Sequence, residues 1–176
     1  DQGDRFSLMK IENDLMSIVS SYPITGTTNG VWFSPEGKYI AVVNSGGTPQ
    51  VTLLKRNGDS LELASSYNLG GNGGRRVTMT PDGKLIIVTV DNNPRLKIFK
   101  RNGDLMTLVS ETELDSNSYG VAVSPDGRYL VCTQNTTTFL LFRLIGATVH
   151  LSDSITLPNN TGRGVAFSPD GRNILV

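Results

Sequence analysis

"FSPEGKYIAV" (residues 33–42) returns as "MTPDGKLIIV" (79–88), "VSPDGRYLVC" (123–132) and "FSPDGRNILV" (167–176), and this echo decides the fold. The repeat prolines Pro35, Pro81, Pro125 and Pro169 fall at intervals of 46, 44 and 44 residues. A second series keeps the same step: "FSLMK" (6–10), "VTLLK" (51–55), "LKIFK" (96–100) and "FLLFR" (139–143). A period of about 44 residues is that of a four-stranded propeller blade. In each repeat a short apolar run ends in Ser/Thr-Pro-Asp/Glu-Gly. Proline there presets φ, the acid bonds the following backbone, and glycine accepts positive φ as the chain reverses. The next run, "YIAVV" (39–43) or "LIIVTV" (85–90), is apolar at nearly every position, as a strand covered on both faces must be. Two further strands follow, joined by "KRNGD" at 55–59 and 100–104, where Asn-Gly predicts a type I′ hairpin. "KIEND" (10–14) and "RLIGA" (143–147) hold the same place with weaker turn chemistry.

Helix fails as an alternative, because Gly and Pro interrupt the chain too often for any long window of 3.6-residue periodicity. The predicted fold is therefore all-β: a β-propeller of four-stranded antiparallel blades, three complete and one composite. The expected blades are 29–69, 75–114 and 119–157. Residues 1–24 supply third and fourth strands, and 163–176 supply first and second strands, of the composite blade. "FSPDGRNILV" is expected to pair with "FSLMK", since each half-blade alone leaves an open edge. A self-closed ring of four, two chains closing a ring of eight, and an excerpt of a longer chain all fit. The abrupt last strand favours a need for more protein than one chain.

Composition narrows the function classes. The 176 residues carry 16 basic and 16 acidic side chains without a block of like charge, so an extended phosphate-binding surface, and with it a nucleic-acid partner, is not expected. No apolar run is long enough for a bilayer-spanning helix, and "DQGDRFSLMK" has no signal-peptide pattern. The missing initiator Met fits a processed product or a fragment. One cysteine, Cys132, excludes an internal disulfide and reads as a buried filler.

Ser-Pro-Asp-Gly-Arg/Lys followed by a strand and by "NSGGTPQVTLLKRNGDSLEL" (44–63) resembles the repeats of WD40-like and lactonase-type (YVTN) β-propellers, over essentially the whole chain. Similar repeats occur in bacterial surface and phage structural proteins, which leans the location toward a virion or cell surface. The Gly-His and Trp-Asp dipeptides of WD40 blades are absent. The resemblance fixes the fold and leaves function open, since propellers host enzymes, receptors and scaffolds.

Chemistry is expected where the loops before the first strands and after the second strands meet, at the mouth of the central channel. Asn29, Arg75, Arg76, Tyr119 and Arg163 are placed there, a set suited to a polar or anionic ligand such as a carbohydrate. Trp32 stands where other repeats carry Thr78, Ala122 and Ala166, and is read as a packing plug near the axis, or secondly as an aromatic platform. The lactonase resemblance implies a channel lined with carboxylates, sometimes around a metal. Here the loops offer only Asp91 and Asp115, so no metal or cofactor is expected. His150 has no evident partner, and Cys132 no nearby base. The expectation is a non-enzymatic interaction or ligand-binding module, with a protein or polar ligand as partner. It would serve as a subunit of a larger assembly or homo-oligomer such as a virion or cell-surface structure. A lactonase-like hydrolase with its site at the channel is the alternative.

Overall fold

Each repeat turn is closed by the same three hydrogen bonds. In the first, the Gly37 N–H donates to Ser34 O, the Ser34 N–H to Tyr39 O and the Tyr39 N–H to Ser34 Oγ, at 2.8, 2.8 and 2.9 Å. Thr80, Ser124 and Ser168 repeat the arrangement. Gly37, Gly83, Gly127 and Gly171 have φ of 68°, 66°, 74° and 71°, the left-handed geometry expected of them. The computed structural model describes residues 5–158 and 162–176. Part of the 158–164 loop, with its Asn159-Asn160-Thr161 stretch, and residues 1–4 of the first half-blade lie outside the described residues.

The described residues form strands and no helix. Blade 1 is β3 (Thr27–Phe33), β4 (Tyr39–Ser45), β5 (Val51–Asn57) and β6 (Ser60–Tyr67). Blade 2 is β7 (Gly74–Met79), β8 (Leu85–Val90), β9 (Leu96–Asn102) and β10 (Leu105–Thr112). Blade 3 is β11 (Ser118–Val123), β12 (Tyr129–Gln134), β13 (Thr138–Ile145) and β14 (Thr148–Thr156). All three pair antiparallel in sequence order. Before them stands the hairpin β1 (Arg5–Glu12) with β2 (Leu15–Pro23), and after them the short pair β15 (Ala166–Phe167) with β16 (Ile174–Leu175).

Two details differ from expectation. β1 and β16 belong to separate two-stranded sheets, so the composite blade is not closed within the chain and the direct pairing of Ile174–Val176 with Phe6–Met9 is absent. The three intervening blades hold the half-blades at opposite ends of an arc. The Asn-Gly turns also use a different register. Asn57 pairs with Ser60, leaving Gly58 and Asp59 as central residues, and of these only Gly58 has positive φ, as in a type II′ turn. It is "KIEND" that takes two positive φ values, 51° at Asn13 and 62° at Asp14.

The core lies between blades. Ala41, Val43, Val51 and Leu53 of blade 1 pack on Ile86, Val88 and Phe99 of blade 2, and Ile87 and Ile98 of blade 2 pack on Leu130, Cys132 and Phe142 of blade 3. β4 and β8 are buried along almost their whole length, which is why they alternate neither in polarity nor in exposure. Cys132 sits in this packing, and burial pushes its thiol up to about 12, so it is an inert filler. On the side away from the channel mouth, Tyr39 and Lys55 of blade 1 both reach Asp104 of blade 2, at 2.5 and 2.8 Å, and Arg101 lies 4.3 Å from the Tyr39 ring centroid. This latch fixes blade 1 against blade 2.

Two predictions follow from the turns. Valine at Gly127, whose φ is 74°, should destabilise the fold by about 1–3 kcal/mol, read as a lower thermal midpoint; an unchanged midpoint would contradict the turn geometry. The second concerns acid. The Asp126 and Asp170 carboxyls are held below the ordinary carboxylate range by the Ser124 and Ser168 hydroxyls first and by the Arg128 and Arg172 N–H groups next. Their folded pKa is thus depressed. The contribution is full above the unfolded value of about 3.9 and is lost as pH falls through the lower folded value. The thermal midpoint should drop on acidification below about pH 4. Replacing Ser124 by Ala should weaken that acid dependence, which a series of melts across pH would measure.

Candidate functional site

The first strand of each blade carries one residue too many at its channel end. Thr28 pairs with Asn44 and Gly30 with Val43, leaving Asn29 without a ladder partner. Gly74 pairs with Val90 and Arg76 with Thr89, leaving Arg75. Ser118 pairs with Gln134 and Gly120 with Thr133, leaving Tyr119. Such β-bulges re-aim a side chain and are common beside active sites. Arg163 stands at the same distance before its repeat proline. Four successive repeats therefore present Asn29, Arg75, Tyr119 and Arg163 at one level.

The residue after each bulge is Gly30, Arg76 or Gly120, and Gly164 follows Arg163 in the last repeat. A Cβ at Gly120 would lie 2.8 Å from Thr133 Oγ1, and one at Gly30 would lie 3.2 Å from the Val77 nitrogen, so the inner strands need glycine there to approach the neighbouring chain. Arg76 is the exception. Its Nη1 donates to the carbonyls of Asn29 and Arg75, each at 2.8 Å, so it stitches blade 2 to blade 1 at the channel. Asn29 Nδ2 answers by donating to Ser45 Oγ at 2.9 Å and to Gly74 O at 2.8 Å.

Around this stitch the charges gather. Arg75 Nε donates to Asp91 Oδ1, and both side chains are only partly exposed. Beside Gly73, the other Asp91 oxygen leaves no room for a Cβ. The Arg75 guanidinium lies 5.1 Å from the Tyr119 ring centroid, and the Arg163 guanidinium lies 5.8 Å from the same ring. Each such contact contributes about 0.5–1 kcal/mol where exposed, more where water is excluded. Arg75 is paired with Asp91 while Arg76 and Arg163 meet carbonyls and an aromatic ring instead, and the excess positive charge favours an anionic or strongly polar ligand.

The structure brings together five of the six residues singled out from sequence. Trp32 is not one of them. It lies further along β3, opposite Ala41, takes part in none of these bonds or stacks, and at 45% exposure is not a packing plug. Asp115 is exposed and apart, and His150 is exposed on β14 beside Thr148. Among the described residues, no three His, Cys, Asp or Glu side chains converge as a metal site. Sequence reasoning missed the Arg75–Asp91 pair and the bulges. The signal was the constant spacing from each bulged residue to its repeat proline.

The family model described as lactonase, 7-bladed beta-propeller matches residues 14–119, more than half of the chain. Among curated proteins none matches. The periplasmic gluconolactonase of Pseudomonas aeruginosa superposes with a TM-score of 0.79 at 16% identity, over 98% of this chain and 56% of that one. A Bacteroides uniformis protein provisionally assigned as a 6-phosphogluconolactonase gives 0.81 at 16% identity, over 97% of this chain and 56% of its own. Hydrazine synthase of Kuenenia stuttgartiensis gives 0.72 at 17%, over 87% and 42%, so the fold extends to different chemistry. The chain spans about half the length of these structures. The family match overturns the expectation of a non-enzymatic interaction module in a virion or cell-surface assembly; it favours the lactonase-like alternative, and nothing in it points to a structural subunit.

The excess charge is open to direct measurement. Sulfate or phosphate at tenfold over its Kd should stabilise the protein by about 1.4 kcal/mol, read as a raised thermal midpoint. Arg163→Ala should reduce the shift, and a midpoint indifferent to both anions at constant ionic strength would exclude an anion site.

Proposed function

The chain belongs to the lactonase, seven-bladed β-propeller family, and from that premise we propose that it hydrolyses the cyclic ester of a sugar acid at the channel mouth. The observation that carries the proposal is the family match over residues 14–119, because that span holds Asn29, Arg75, Arg76, Asp91 and Tyr119. The names of the structural neighbours, gluconolactonase and 6-phosphogluconolactonase, support a polyhydroxylated lactone as the substrate class. The guanidinium excess suits a phosphate or carboxylate on such a molecule, and the amide of Asn29 suits its hydroxyls.

The chemistry asks for two things. A water molecule must lose a proton as its oxygen bonds to the lactone carbonyl carbon, and the negative charge that develops on the carbonyl oxygen must be stabilised. Among the described residues Asp91 is the carboxylate paired with the cluster, and it acts as the base. Arg75 holds it in place. Arg163, stacked on Tyr119, supplies positive charge to the oxyanion. The tetrahedral intermediate collapses by breaking the bond between the carbonyl carbon and the ring oxygen. The proton held by Asp91 passes to that oxygen, so one water is consumed and one hydroxy acid is formed.

The test is hydrolysis of glucono-δ-lactone and its 6-phosphate, followed by acid release against the spontaneous rate. Asp91→Asn should lower kcat by about 10²–10⁴, while Arg163→Ala should lower kcat for both lactones, because the charge it supplies to the oxyanion acts only in the transition state. A folded protein that accelerates neither lactone overturns the proposal.

A further inference from the structure

Arg76 occupies a place that the other repeats give to glycine, at Gly30, Gly120 and Gly164. Room is scarce at that level. A Cβ at Gly30 would lie 3.2 Å from the Val77 nitrogen and 3.3 Å from the Arg76 Cα, and one at Gly120 would lie 2.8 Å from Thr133 Oγ1. Charge pairing does not account for so long a side chain in so tight a place. The ion pairs of the described residues include Arg75 with Asp91 and none made by Arg76.

What Arg76 does bond is main chain. Its Nη1 donates at 2.8 Å to the carbonyls of Asn29 and Arg75, the two residues that the β3–β4 and β7–β8 ladders leave unpaired. A bulge releases its residue from the ladder, so its orientation has to be set by something else. Asn29 Nδ2 closes the loop by donating to Gly74 O at 2.8 Å. The consecutive carbonyls of Gly74 and Arg75 are thus both held from the blade 1 side, one by the Asn29 amide and one by the Arg76 guanidinium, the latter a charge-assisted bond of the stronger kind. Everything that depends on Arg75 depends on this clamp: the Arg75 Nε bond to Asp91, and the guanidinium that lies 5.1 Å from the Tyr119 ring centroid.

We propose that Arg76 is a positioning residue of the lactone site: by clamping the carbonyls of Asn29 and Arg75 it sets where Arg75 meets Asp91, and it does not itself touch the substrate. The inference rests on the lactone-hydrolysis reading, in which Asp91 is the base. A base must stand within hydrogen-bond reach of the water it deprotonates, and Arg75 can orient the Asp91 carboxylate only while its own main chain is fixed. Replacement of the repeat's glycine by arginine therefore ties the base of blade 2 to the frame of blade 1. The Nε and Nη2 edge of Arg76 carries no hydrogen bond among the described residues. A direct grip on an anionic substituent of the lactone is thus the competing role, and the experiment separates the two.

Two variants remove the clamp. Arg76→Gly installs the residue that the other repeats use, and Arg76→Met keeps the stem without the guanidinium, so loss of folding in one leaves the other to carry the test. With glucono-δ-lactone and its 6-phosphate, each variant should lower kcat by about ten- to a hundredfold, while KM for either lactone changes much less. The Arg75–Asp91 pairing is read without turnover, from the rate at which the Arg75 Nε–H exchanges with water in heteronuclear NMR of the arginine side chains. Loss of the signal in Arg75→Lys assigns it. Without the clamp that exchange should be on the order of tenfold faster, because the pair opens more often. An unchanged exchange rate overturns the proposal, and so does a rise in KM confined to the phosphorylated lactone with kcat intact. If the unaltered protein hydrolyses neither lactone, the hydrolytic reading falls, while the clamp on Arg75 still stands or falls on the exchange rate.

Discussion

A sheet that is apolar on both faces cannot stand alone in water, and this constraint governs the whole molecule. β4 and β8 expose almost nothing because each is packed between two neighbouring blades. Burying side chains such as Ile40, Ile87 or Leu130 is worth about 1.5–3 kcal/mol apiece, and that gain exists only while the next blade is present. Blades are therefore not independent modules. Stability accrues at interfaces, as in other repeat architectures.

The same packing decides where chemistry happens. Inner strands crowd together near the axis, and at that level the chain relieves the crowding by a glycine and a bulge. The bulged residue loses its ladder partner and turns toward the channel mouth, so each repeat delivers one side chain to the same ring. What varies is chemistry on a fixed backbone: an amide at Asn29, a guanidinium at Arg75, a phenol at Tyr119. Arg76 shows how a departure from the glycine pattern is absorbed, since its long side chain leaves the crowded level and caps the carbonyls of Asn29 and Arg75.

The neighbours illustrate how little the scaffold restricts the reaction. Gluconolactonase and hydrazine synthase share this backbone path at about one residue in six. Function on such a fold is set by the groups at its site and by their pairing. Here Arg75 pairs with Asp91 while Arg163 lies over Tyr119 and Arg76 binds backbone carbonyls, a local excess of positive charge in a chain that is neutral as a whole.

The sequence by itself determined the all-β class, the repeat period, the strand order within blades and the positive-φ glycines, because each rests on local chemistry: a proline that fixes φ, a glycine that accepts the left-handed region, and an apolar run with no alternation. It also placed Asn29, Arg75, Arg76, Tyr119 and Arg163 on one face, since equivalent positions of a repeat share a level. Tertiary structure decided the rest. Pairing register cannot be read from composition, so the hairpin turns centred on Gly58 and Gly103 and the bulges emerged only with the ladders. The Arg75–Asp91 pair joins two loops of one blade, and the isolation of Trp32 depends on how far β3 carries it past the cluster. Whether the half-blades meet is decided by the curvature summed over four interfaces, a quantity no single stretch of sequence contains.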